Sequence, residues 1–286
     1  MTDTAFIVHS PRQHSSCVVF ASPHSGRNYE GTFGQTAVLD NTAIRSSEDA
    51  YVDLLFDSVA EFGAHFIAAC VPRAYVDLNR SAEELDPALI EGVRRLGHNP
   101  RIASGLGVIP RVVANGRAIY RGKMTMTEAQ SRLDQYWHPY HNRLQGLLDQ
   151  AMRHHGQAVL VDCHSMPHEA MDGVALQGHR RPDVVLGDRF GAAAGGEVVD
   201  RIEAAFASAG FAVTRNAPFA GAYVTQAYGR PTRGQHAVQV EIDRSLYMDE
   251  KLVQPNADFN DIRDALRRVA AEVAQIGSAR IPLAAE

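Results

Sequence analysis

Cysteine is scarce in this chain. Cys17, Cys70 and Cys163 are odd in number and widely spread among 286 residues, so they support neither a disulfide framework nor a CxxC metal site. Long apolar runs are missing too: no stretch approaches the roughly 20 residues that span a bilayer. The opening MTDTAFIVHS has neither the basic nor the apolar region of a signal peptide. No basic run marks a nucleic-acid footprint, and the net charge is −5. There is no GxGxxG fingerprint, Walker A loop, GxSxG elbow or HExxH signature. These absences argue against nucleotide-binding folds, serine hydrolases of the elbow type and local zinc motifs. The expectation is a cytoplasmic, reduced protein without nucleic-acid or membrane partners, in which any anionic substrate is caught by locally placed arginines.

What is present is ordinary globular composition, 45% hydrophobic and 21% charged. Apolar runs at 17–22, 65–70, 158–163, 211–216 and 237–242 read as buried strands. Helical periodicity falls between them, at 48–63, 125–156, 195–210 and 257–277. In the second of these, Thr125 and Glu128 form a capping box, Pro139 introduces a kink and Gly156 ends the helix. Alternating strands and helices predict an α/β fold of three layers, a mainly parallel or mixed central sheet with helices on both faces. No linker, repeat or low-complexity tract appears, so residues 1–286 read as a single domain. Residues 81–124 are poorer in pattern, as a functional loop or a misread element would be.

Ligands of open parallel sheets bind beyond the carboxyl ends of the strands. His24 follows the first run, and His164 the VDC of the third. Arg73, Asn79 and Arg80 follow the second, and Glu241 stands near the end of the last. Asp49, with Glu48 beside it, opens the first helix. Two imidazoles and one carboxylate are a ligand set for catalytic zinc, with water in the fourth position. His24, His164 and either Asp49 or Glu48 would be the ligands, and Glu241 the base. Each piece has a bland reading as well: a turn or core histidine, a solvated glutamate, a surface arginine. Asn79 and Arg80 offer an amide and a guanidinium fork suited to a carboxylate. Cys163 should face the core, because strand neighbours point to opposite faces. His138 and His141 flank Pro139 among aromatics and read as packing. His154 and His155 read as a favourable charge placement at a helix C-terminus. His168, His179 and His236 fall in loop-like stretches.

The segments SPHSGRNY, SSEDAYVDLLF, RAYVDLNR, VDCHSMP, PFAGAYVTQAYGRP and GQHAVQVEIDRSLYMDE occur in the order of N-formylglutamate amidohydrolases. The resemblance runs from about residue 18 to 252, and that family is similar to zinc carboxypeptidase and aspartoacylase-like hydrolases. It implies cleavage of N-formyl-L-glutamate to formate and glutamate with a zinc cofactor, cobalt or manganese also suiting the donors. By resemblance His24 and His164 are metal ligands with Asp49 as the third, Glu48 being the alternative. Glu241 is general base and acid, Arg73 polarises the scissile carbonyl, and Asn79 and Arg80 hold the substrate α-carboxylate. Arg230 or Arg233 would take the side-chain carboxylate. The carboxypeptidase pattern keeps a ligand Glu three residues after the first His, where this chain has Arg27. Other readings are a deacylase for a different small N-acyl amino acid, a serine or cysteine hydrolase, and a metal-free binding protein.

Overall fold

The structure, a computed structural model, describes residues 4–33, 36–94, 99–173 and 181–277. Among the described residues, seven strands form one sheet: β1 Phe6–His9, β2 Val18–Ser22, β3 His65–Ala69, β4 Ala158–Met166, β5 Val184–Gly187, β6 Val213–Arg215 and β7 Gln235–Asp243. Their spatial order is β1-β3-β2-β4-β7-β5-β6. The centre, β3-β2-β4-β7, is parallel, while β1 and β5 pair antiparallel with β3 and β7. The sheet is therefore mixed. The predicted strands all form; β1 and β5 are additions, four residues each and too short for a reliable alternation signal.

Strand alternation sorts the apolar residues into two layers. Val18, Phe20, Phe66, Val161, Cys163, Val240 and Ile242 pack on one face, under the helices Gly196–Ser208 and Phe259–Val273. Val19, Ala21, Ile67, Leu160 and Ala237 pack on the other, under the long helix ending at His155. Burying a side chain the size of Phe20 contributes about 1.5–3 kcal/mol, so each layer is held by many such increments. Cys163 lies in the first layer, fully buried, as strand parity requires.

The predicted helix 48–63 is instead broken in two. A single α-turn, Val52–Leu55, is followed by the tighter 3₁₀ turns Asp57–Phe62. The reason lies at its start: Asp49 donates its backbone N–H to the His24 carbonyl at 3.1 Å, and Tyr51 takes a left-handed φ of 67°. Both departures hold Asp49 against the end of β2, overriding helical periodicity. In the second helix Thr125 Oγ1 does accept the Glu128 N–H, but the Glu128 carboxylate pairs with Arg132 rather than closing the box. Around Pro139 the chain widens into a π-turn over Leu133–Trp137 before Met126–Arg132 continues as His138–His155. Proline cannot donate, and His138 N–H reaches back five residues to Leu133.

Residues 81–124 supply a short helix, Pro100–Ala103, and isolated bridges, with residues 95–98 outside the described set. Arg101, Leu106, Pro110 and Val112 from this segment wall the main cavity. Among the described residues, no helix is long and apolar enough to cross a membrane.

Candidate active site

The parallel strands β2, β4 and β7 end at one edge of the sheet, beside a cavity of about 660 Å³. His24 stands two residues beyond β2, its turn made possible by Gly26, where a Cβ would lie 2.0 Å from the Val71 carbonyl oxygen. His164 and Glu241 are register partners on β4 and β7. Cys163 and Val240, Ile242 face the opposite layer, so His164 and Glu241 share the cavity face.

His24, Asp49 and His164 come together as a buried triad whose ligand atoms lie within 4.8 Å of one another. Asp49 Oδ2 sits 2.9 Å from His164 Nδ1 and 3.3 Å from His24 Nδ1. Donors around a tetrahedral zinc at ~2.0–2.1 Å stand about 3.3 Å apart, so the triad's spacing fits such an ion. His24 Nδ1 is buried and has no hydrogen-bond partner, as a nitrogen kept for a metal would be. The other edge of the His24 ring is hydrogen-bonded to a second carboxylate, and that of His164 has one close by. His24 Nε2 lies 2.7 Å from Asp77 Oδ1, and His164 Nε2 lies 2.9 Å from Asp162 Oδ2. Carboxylates behind metal-binding imidazoles orient the rings and raise their basicity.

The electrostatics follow from burial opposed by close charges. Burial alone would raise Asp49 and Asp77. The two histidines outweigh it at Asp49, and His24 with Arg73 and Arg80 outweighs it at Asp77, so both stay well below the usual carboxylate range. His164 is pulled down by burial but raised further by Asp162 and Asp49, ending well above an ordinary imidazole. Glu241 differs: burial, with Asp49 adding, pushes it up to about 7 against the pull of His164, Arg73 and Arg244. Gln239 donates to its Oε1 at 2.8 Å. A carboxyl group poised near neutrality both takes and returns a proton efficiently.

Glu48 is not part of the triad. Its carboxylate accepts from Arg45 at 2.9 and 3.0 Å and from Tyr29 Oη at 2.8 Å. Arg27 likewise points away, paired with Asp53 on the surface. Arg73 reaches the cavity with Nε on Asp77 at 3.1 Å and Nη1 3.8 Å from Asp49 Oδ1. Arg80 lines the cavity, its Nη1 donating to the Asn79 carbonyl at 2.8 Å. Asn79 Oδ1 accepts the Val224 N–H at 2.8 Å, and Nδ2, which carries two N–H donors, lies 3.2 Å from His164 Nε2.

Arg230 and Arg233 are not brought to the triad. Arg230 pairs through its backbone with Gln235, at the start of β7 rather than its end, and lines a neighbouring cavity of about 730 Å³. Arg233 lines neither cavity.

Four residues near the site went unassigned from sequence: Asp77, Asp162, Arg101 and Arg244. Asp162 carried a usable signal, since residues two apart in a strand share a face. Arg244, three residues past Glu241 and beyond the end of β7, carried none. It is buried, donating to Asp49 Oδ1 at 2.9 Å and to Ser165 Oγ at 3.1 Å. Arg101 lines both cavities, from a segment that gave no pattern. His141 is a packing residue, bonded to Tyr228 Oη and the Leu78 carbonyl. His236 accepts the Gly195 N–H, His168 pairs with Asp243, and His179 lies outside the described residues.

A mixed sheet carrying buried imidazoles, a triad carboxylate and a near-neutral glutamate at one cavity defines a hydrolase of the α/β class. The model of the N-formylglutamate amidohydrolase family matches residues 16–248, and the chain belongs to that family. It is 30% identical over 264 residues to the N-formylglutamate deformylase of Pseudomonas aeruginosa, covering 90% of each chain. The N-formylglutamate deformylase of Pseudomonas putida is 28% identical over 240 residues, covering 82% of each. A crystal structure of N-formylglutamate amidohydrolase from Ralstonia eutropha superposes with a TM-score of 0.88 at 33% identity, over 96% of this chain and 98% of that one. The protein is accordingly an enzyme that hydrolyses an amide bond.

Proposed function

We propose that the protein hydrolyses N-formyl-L-glutamate to formate and L-glutamate, with His24, Asp49 and His164 holding a zinc ion. The observation that carries this reading is the buried triad with Glu241 beside it at one cavity. Zinc held there supplies a Lewis acid that brings the pKa of water down toward neutrality; cobalt and manganese suit the same donors.

The chain's own residues account for the rest. Glu241 accepts a proton from water as the oxygen attacks the formyl carbon, then returns it to the amine nitrogen as the C–N bond breaks. Its position near pH 7 suits both directions. The Arg73 guanidinium stabilises the oxygen on which negative charge develops, held in place by Asp77. Arg80 binds the α-carboxylate, and the Asn79 carbonyl fixes its orientation. Arg101 takes the side-chain carboxylate, with Arg230 in the adjoining cavity as the outer cation.

A panel of N-formyl-L-glutamate, N-formyl-L-glutamine and N-acetyl-L-glutamate, followed by release of the acyl acid, tests the assignment. The first should be turned over most efficiently. Preference for either analogue would assign the protein to another N-acyl amino acid.

A further inference from the structure

Four histidines meet at the other end of the sheet, where the parallel strands begin. His65 is the first residue of β3, and His154 and His155 close the long helix just before β4. His14 lies between β1 and β2, in a segment pinned by Ser15 and Ser16 N–H groups on the Gly63 carbonyl, each at 3.2 Å. With β4 starting at Ala158 and His164 six residues further on, this cluster stands about 20 Å from the triad.

The rings sit around His14: 4.6 Å to His65, 5.1 Å to His155 and 5.7 Å to His154 between centroids, with His154 and His155 6.3 Å apart. Imidazoles bound to one tetrahedral zinc have centroids about 5 Å apart, given metal–nitrogen bonds of ~2.0–2.1 Å, a spacing that His65 and His155 meet around His14 and that His154 exceeds. The nitrogens are also unpartnered. Both of His14, both of His65 and Nε2 of His155 are buried without a hydrogen bond, and His65 as a whole is 5% exposed. Buried polar atoms left unsatisfied are costly, and five in one cluster need a reason. The negative end of an 18-residue helix faces the same spot, which favours a cation.

We propose that His14, His65, His154 and His155 form a second metal site, for a divalent ion of the zinc, nickel or copper class. The rings pack against one another rather than aiming at one point, and rotation about χ2 turns their nitrogens inward. A bound ion ties the start of β3 to the end of the long helix and to the segment before β2. The site lies outside the catalytic cavity and does not depend on the reaction assigned there.

Full-length protein stripped with chelator and dialysed against zinc should bind two equivalents per chain. His14→Ala and His24→Ala should each bind one, and His14→Ala should keep the hydrolytic rate. The double variant His154→Ala with His155→Ala, at the helix end, should also bind one, and serves if His14→Ala folds poorly. Failure of the catalytic zinc reading alone would leave one equivalent in the wild type, lost in His14→Ala and kept in His24→Ala. Zinc content unchanged in both cluster variants would overturn the second site and leave the histidines as packing.

Discussion

His164 and Glu241 are register partners on parallel strands β4 and β7, and both side chains face the same cavity. One residue completes the triad and the other holds a carboxyl group near neutrality. Their adjacency sets that carboxyl group beside the triad. Glu241→Gln should therefore keep zinc while losing about two or more decades in kcat. Elemental analysis alongside steady-state rates checks both halves. A fully active variant would remove Glu241 from the chemistry.

Asp77 reaches His24 at 2.7 Å and Arg73 at 3.1 Å, so it supports a triad imidazole and a cation together. Asp77→Asn should lower zinc affinity by about 10–100-fold. Part of the lost rate should return at saturating zinc, the remainder reflecting a loosened Arg73. Competition with a metallochromic chelator measures the affinity, and an unchanged value would separate Asp77 from the metal.

Charge recognition is expected to divide between the arginines by position. Arg101→Ala should raise KM for N-formyl-L-glutamate by about tenfold or more, the loss of a charged hydrogen bond. The rise should be smaller for N-formyl-L-glutamine, which lacks the side-chain carboxylate. Arg233→Ala, outside both cavities, should leave KM unchanged.

The acid limb of stability has an identifiable contributor. Burial holds His141 down to about 3, only partly offset by its bond to the Leu78 carbonyl, whereas the unfolded chain titrates near 6.5. The folded state binds fewer protons between these values. Its contribution is complete above about pH 6.5 and is lost as the pH falls toward 3. At pH 5 the loss is about 2 kcal/mol. Urea midpoints at pH 7.5 and 5 should show a smaller drop for His141→Asn than for wild type. Equal drops would assign the acid sensitivity elsewhere.

Much of this was legible in the chain because it rests on local pattern. Strand parity gave the inward face of Cys163, and positions after apolar runs gave His24 and His164. Other features depended on tertiary contact. The run at 48–63 has helical periodicity, yet Asp49 is drawn to the end of β2 and Tyr51 adopts a left-handed φ, so the helix breaks where the triad needs it. Sequence could not choose between neighbouring Glu48 and Asp49, because the choice turns on Arg45 and Tyr29 capturing Glu48. Arg244 reaches Asp49 from beyond a strand end, and Arg101 lines the cavity from an irregular segment, where no periodicity points.

The most direct test is formate release from N-formyl-L-glutamate before chelation, after it, and after zinc is restored. Activity should disappear with the metal and return with zinc, while His24→Ala should stay inactive throughout. Undiminished formate release from protein shown by elemental analysis to hold no metal would contradict the metal-dependent mechanism.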